Sequence, residues 1–115
     1  MAAPRSLEAA GAALDWLRSD DDAIADAWFA DNMDLDVPRA ERRRRLDAAL
    51  ASSGIDRGAL ERLRAEDAQV LSRGQLRWTL PGHGRGAPSL RIDLLMDPRR
   101  GALLQALDTA AVTPR

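Results

Sequence analysis

The chain has 115 residues, 30% charged and 45% apolar, a balance that describes one globular domain (1–115) and excludes a disordered polyelectrolyte. A net charge of −1 supplies no overall basic field for nucleic acid or anionic lipid, and the absence of cysteine excludes disulfides and thiolate metal sites. The opening segment carries Arg5 and Glu8 without a strongly apolar run. It does not read as a secretory signal, and no stretch approaches membrane-spanning length, so a cytoplasmic protein is the expectation.

Leu7, Ala10, Leu14 and Leu17 recur at helical spacing behind Ser6, which predicts a first helix over 6–18 with 1–5 frayed. Asp20, Asp21 and Asp22 restart the chain. Acidic residues favour the positive end of a helix dipole, so the triplet predicts the start of a second helix over 21–32, with Ile24, Ala27, Trp28 and Asp31 along one face. Pro38 suits the first turn of a third helix that runs to Ser52 and stops at Gly54. All 17 basic residues are arginine, a usage ascribed to a GC-rich bacterial genome. Four of them, Arg42 to Arg45, stand in a row. Consecutive residues fan around a helix and cannot make one nucleic-acid stripe, so they are read as a solvated face in which at least one stem covers the core.

Residues 57–68 fit a helix turn or a strand equally well. Beyond them the period becomes two. Leu76, Trp78 and Leu80 alternate with Arg77 and Thr79, and Leu90, Ile92, Leu94 and Met96 alternate with Arg91 and Asp93. With PGHGRGAP between these runs, the pattern predicts an antiparallel hairpin with one apolar face. A last strand over 102–112 places Leu103, Gln105 and Leu107 on one face and Leu104, Ala106 and Asp108 on the other, with 113–115 frayed. The fold class is therefore α+β: three N-terminal helices packed on one face of a curved antiparallel sheet of three to four strands.

This order of elements resembles the nuclear transport factor 2-like (cystatin-like, SnoaL-like) superfamily. The runs DDAIADAWFADNM and PRAERRRRLDAAL are similar to small domains that accompany bacterial serine hydrolases. The resemblance spans about Leu7 to Val112 and implies a conical pocket between helices and sheet. In the enzymes of that superfamily, polyketide cyclases and ketosteroid isomerases among them, the pocket holds acid–base residues. It also implies a homodimer formed sheet to sheet.

Parity fills the inner face with Trp78, Leu80, Leu90, Ile92, Leu94, Leu103, Gln105 and Leu107, joined by Trp28 and Trp16 from the helices. From this apolar lining Trp16, Trp28, Trp78, Ile92 and Gln105 are the expected ligand-binding residues, with an apolar small molecule or a protein partner as the occupant. Tuned proton transfer needs a half-buried acid or base, and Asp31 is the one carboxylate placed to reach inward. It is the catalytic candidate of the alternative reading, a cofactor-independent cyclase or isomerase. An Arg77–Asp93 or Thr79–Asp93 cross-strand pair is expected on the outer face, where Arg77, Arg91 and Asp93 are able to self-complement across a twofold axis. His83, flanked by Gly82, Gly84 and Gly86, is read as a mobile loop tip. A phosphate cradle there would need a helix after the loop, and SLRIDLLMD reads as a strand. Asp31, Asp34 and Asp36 match no calcium loop, so neither metal nor cofactor is expected, and neither nucleic acid nor membrane is an expected partner.

Overall fold

In a computed structural model, which describes residues 4–97 and 101–113, four helices precede a four-stranded sheet. The helices are α1 (Pro4–Ser19), α2 (Asp22–Trp28), α3 (Asp31–Asp36) and α4 (Arg39–Ser53). Two short 3-10 turns (Arg57–Arg62 and Ala65–Asp67) lead into β1 (Gln69–Ser72), β2 (Gln75–Leu80), β3 (Ser89–Asp97) and β4 (Leu103–Val112). The strands form an antiparallel meander in the order β1-β2-β3-β4, so the chain is α+β as its sequence predicts. Among the described residues no helix is long and apolar enough to cross a membrane.

The acidic triplet starts α2 as its charge requires: the Asp21 side chain accepts from the Ala23 N–H at 2.9 Å. The single helix expected over 21–32, however, is broken at Phe29 and Ala30. Phe29 is extended and forms an isolated parallel bridge to Leu104, and the Ala30 N–H donates to the Leu104 carbonyl at 2.8 Å. Tertiary pairing with β4 overrides local helix propensity here. Phe29 is thereby turned inward, its ring edge-on to Trp16 with centroids 5.2 Å apart. The start of α1 also differs from expectation. Pro4 and Arg5 are helical, and Arg5 donates through Nε to the Gly101 carbonyl at 3.0 Å. Of the other residues expected to fray, Thr113 follows the end of β4, and 1–3 and 114–115 lie outside the described residues.

The core is the layer between α1, α4 and the inner face of the sheet. Leu14, Trp16 and Leu17 meet Leu46 and Leu50 on one side and Leu76, Trp78, Leu90, Ile92, Leu94 and Met96 on the other. Paired positions run Leu76↔Leu94, Trp78↔Ile92 and Leu80↔Leu90, the register that the alternation of apolar residues demands. In β4 the simple alternation fails. The pairing shifts between Leu95 and Met96, so Leu94 faces Leu107 while Met96 faces Leu104. This bulge lets both Leu104 and Leu107 point inward and turns Leu103 outward, against the strict parity expected from the sequence.

One arginine of the row 42–45 is a core residue. Arg42 is 4% exposed, and its guanidinium donates to the Leu107 carbonyl at 2.7 Å and the Met33 carbonyl at 2.8 Å. Burial pulls its pKa down from the ordinary value, with Asp108 and Asp34 opposing that shift. The planar fork ties α4 to α3 and β4 simultaneously, which a lysine cannot do. Replacing it with alanine removes the donor to the Leu107 carbonyl, leaves the Met33 carbonyl with the Val37 N–H alone, and opens a void. Arg42→Ala is expected to lose about 3 kcal/mol in urea unfolding, and Arg42→Lys to recover only part of it.

Candidate functional site

The residues expected to bind a ligand are distributed over several environments. Trp16, Trp78 and Ile92 are 1–2% exposed and packed in the interior, where Trp16 and Phe29 are in edge contact. Trp78 anchors its ring by donating through Nε1 to the Arg64 carbonyl at 3.0 Å. Trp28 is only partly buried, and the Arg5 guanidinium lies 4.5 Å from its ring centroid. Gln105 sits at the β4 bulge and donates through Nε2 to Asp97 at 3.4 Å; the bulge separates it from the inner row of Leu104 and Leu107. Asp31 is exposed in the first turn of α3, next to the break that the sequence pattern did not anticipate. The structure therefore does not gather Asp31, Gln105 and the three tryptophans around one opening.

The carboxylates near Asp31 are organised by an arginine. Arg39, the first residue of α4, reaches Asp34 at 3.0 Å, Asp26 at 2.9 Å and Asp22 at 3.3 Å. Hydrogen bonding to Asp34, then to Asp26 and Asp22, raises its pKa above the ordinary arginine value. Arg43 adds a bond to Asp22 at 2.9 Å, and its guanidinium lies 5.6 Å from the Trp16 ring centroid. The remainder of the row, Arg44 and Arg45, pairs with Glu41 one turn back. The cluster is thus a clamp between α2, α3 and α4, and its cations are occupied. The Arg39 hydrogen bond also lowers the Asp22 carboxyl below its usual 3.8. A depressed carboxyl contributes stability above its unfolded pKa and loses it as pH falls through the folded one. Asp22→Asn should consequently flatten the loss of stability below about pH 4, read as the transition midpoint of thermal unfolding against pH.

Among the described residues the outer face of the sheet has no helix over it. Arg77 and Asp93 stand opposite each other and pair at 2.6 Å, as the parity of the strands predicts, and the Asp93 hydrogen bond raises the Arg77 pKa. Around them lies a shallow depression of about 230 Å³ lined by Leu71, Leu95, Ala106 and Asp108. Leu71 is 41% exposed. Arg91 and Asp108, also on this face by register, make no ion pair among the described residues.

Two confluent depressions of about 340 and 350 Å³ lie between the first 3-10 turn and the end of β2. They share Ala59, Arg62 and Leu80. Ile55 and Pro81 extend the apolar surface at one end, and Leu63 and the rim of Trp78 at the other. His83 forms part of one wall. Its loop is docked at this residue: the His83 N–H donates to the Ser53 carbonyl at 2.8 Å. A Cβ on Gly54 would stand 2.8 Å from the His83 carbonyl, and one on Gly82 would stand 2.1 Å from that of Pro88. These two glycines allow the loop to fold back against α4. Of this groove the sequence isolates only His83; 57–68 has no decisive period, and nothing local marks Arg62.

Compared with protein-family models, with curated proteins and with solved structures, the chain finds no match. Asp31 touches none of the three depressions described above. As an exposed helix-start residue it should tolerate Asp31→Asn with a change within about 0.5 kcal/mol in urea unfolding.

Proposed function

We propose that the chain is a binding domain of the nuclear transport factor 2-like kind, without proton-transfer chemistry of its own, that associates as a homodimer through the uncovered face of its sheet. The observation that carries this reading is the contrast between the two faces. The inner face is filled by side chains such as Trp16, Ile92 and Leu104 that are at most 1% exposed. The outer face presents Leu71, Leu95 and Ala106 around the Arg77–Asp93 pair.

Antiparallel sheets tolerate one solvated face, but that face is then largely polar. Aliphatic residues on it, bordered by charges, are what a partner surface offers. Arg77 and Asp93 satisfy each other within one sheet, so the charges left to act between copies are Arg91 and Asp108. A twofold axis through this face sets each arginine against the other copy's aspartate, since an isologous contact brings residue i to j and j to i. Of the two occupants considered for a domain of this kind, a small apolar molecule and a protein partner, the filled interior supports the partner.

Sedimentation equilibrium tests the proposal. The wild-type chain is expected to be dimeric, and Leu95→Arg, a partly exposed position off the core, to be a folded monomer. An Asp108→Arg change should weaken the dimer, and the combined Asp108→Arg, Arg91→Asp variant should restore it. A wild-type chain that stays monomeric at about 100 μM would remove the homodimer.

A further inference from the structure

β1 is shorter than the strand it pairs with. Its partners in β2 run Gln69↔Arg77, Val70↔Leu76 and Ser72↔Gln75, whereas β2 continues to Leu80 and stays paired to β3 throughout. On the other side of Trp78, Thr79 and Leu80, where β1 would continue, the chain instead turns into the 3-10 segment Ala65–Asp67. The Met96 N–H donates to the Gly74 carbonyl at 2.8 Å. In an antiparallel ladder this makes 74↔96 a hydrogen-bonded pair, so the even-numbered residues of β2 spend their backbone groups on β3. Those of Gln75 and Arg77 go to β1. Thr79 is the next in that series, and its N–H and C=O face the groove beside β2 with no partner among the described residues.

Arg62 stands over the same stretch of groove, exposed and lining both of its depressions. Many arginines among the described residues are held by a carboxylate or a carbonyl, whereas the Arg62 guanidinium, like those of Arg73, Arg85 and Arg91, makes no ion pair or hydrogen bond among the described residues. The titratable neighbours differ in their positions. Asp67 accepts from the Arg64 N–H at 3.3 Å, while Asp56 and His83 lie at the far end of the groove, in the depression that Asp67 does not reach.

We infer that this groove receives an extended peptide segment that adds to the free edge of β2 at Thr79, sets aliphatic side chains against Leu80, Ala59 and Ile55, and places an acidic side chain at Arg62. Strand addition supplies main-chain hydrogen bonds from an edge already held in extended geometry, and the pockets on either side select alternate side chains. A chain segment suits this site because the groove is long and open, with polar groups at its rim and apolar ones along its floor. Pro81 ends the edge, since it has no N–H to offer, so a segment of about five residues is sufficient. The groove shares no lining residue with the depression around Leu71, Leu95 and Ala106.

The test is a titration of the ¹⁵N-labelled chain with the capped pentapeptide Ac-SLELS-NH2, its lysine counterpart Ac-SLKLS-NH2, and hexanoate. Amide shifts confined to Thr79, Leu80 and residues near Arg62 are expected, together with about tenfold slower hydrogen exchange at the Thr79 amide when the glutamate peptide is bound. The glutamate peptide should bind roughly fivefold tighter than the lysine peptide, and Arg62→Glu should reverse that order while leaving the unbound spectrum folded. The proposal is overturned by absence of binding at millimolar peptide, by binding without protection of Thr79, or by an order of affinity indifferent to Arg62. Protection of Thr79 by hexanoate equal to that by the peptide would make the groove a small organic-anion site and would overturn strand addition as well.

Discussion

The rest of the structure depends on a buried charge. A guanidinium inside a core is costly unless its donors are used, and Arg42 directs two of them at the carbonyls of Met33 in α3, which also accepts the Val37 N–H, and Leu107 in β4. Those two groups belong to elements that sequence proximity does not bring together. Once Arg42 is seated, α3 is fixed against the sheet, Phe29 is drawn out of the helix to bridge Leu104, and the β4 bulge has its inward leucines supported. The Phe29 ring lies 6.0 Å from the Arg42 guanidinium, within the range of a cation–π contact.

Other arginines repeat this device at the surface of the core. Arg18 donates to the Leu60 carbonyl at 2.8 Å and also to that of Leu63, which anchors the first 3-10 turn to α1. Arg57 reaches back to the Leu17 carbonyl at 3.2 Å, and Arg43 holds the Asp20 carbonyl at 3.1 Å. Guanidinium groups serve here because one planar head satisfies several acceptors in fixed geometry. A chain with 17 arginines consequently offers few free cations. The row 42–45, which resembles a nucleic-acid patch in one dimension, is spent on a buried pair of carbonyls, on Asp20 and Asp22, and on Glu41. The arginines without such ties among the described residues include Arg73, Arg85, Arg91 and Arg62, of which Arg91 lies on the open sheet face and Arg62 over the groove.

The same distribution separates the two surfaces argued to bind partners. On the outer sheet face the apolar residues surround a satisfied ion pair, a composition suited to a flat, self-complementary contact. In the groove the unsatisfied groups are a main-chain edge and one cation, which suits a narrower and more polar occupant. Between them lies a core whose tryptophans are occupied in packing. Trp16 meets Phe29 edge-on, and Trp78 commits its indole N–H to the Arg64 carbonyl while its rim lines the groove.

Much of the fold was legible in the one-dimensional pattern. The acidic triplet at 20–22, the stop at Gly54 and the alternation around Trp78 and Ile92 determined where helices begin and end and which face of the hairpin turns inward. These are local matters: caps, left-handed glycines and a period of two act within a few residues. Parity put Arg77 and Thr79 on the same face as Asp93, and the register of the strands chose Arg77 as its partner. The break at Phe29, the bulge that turns Leu104 inward, the burial of Arg42 among its neighbours and the docking of His83 on Ser53 were decided by the tertiary structure. Each depends on a carbonyl or N–H far away in sequence, and a hydrogen-bonding demand of that kind leaves no periodic trace. The groove belongs to the same class, because it exists where β1 stops one pair short of Thr79, and the end of a neighbouring strand is a fact about two segments.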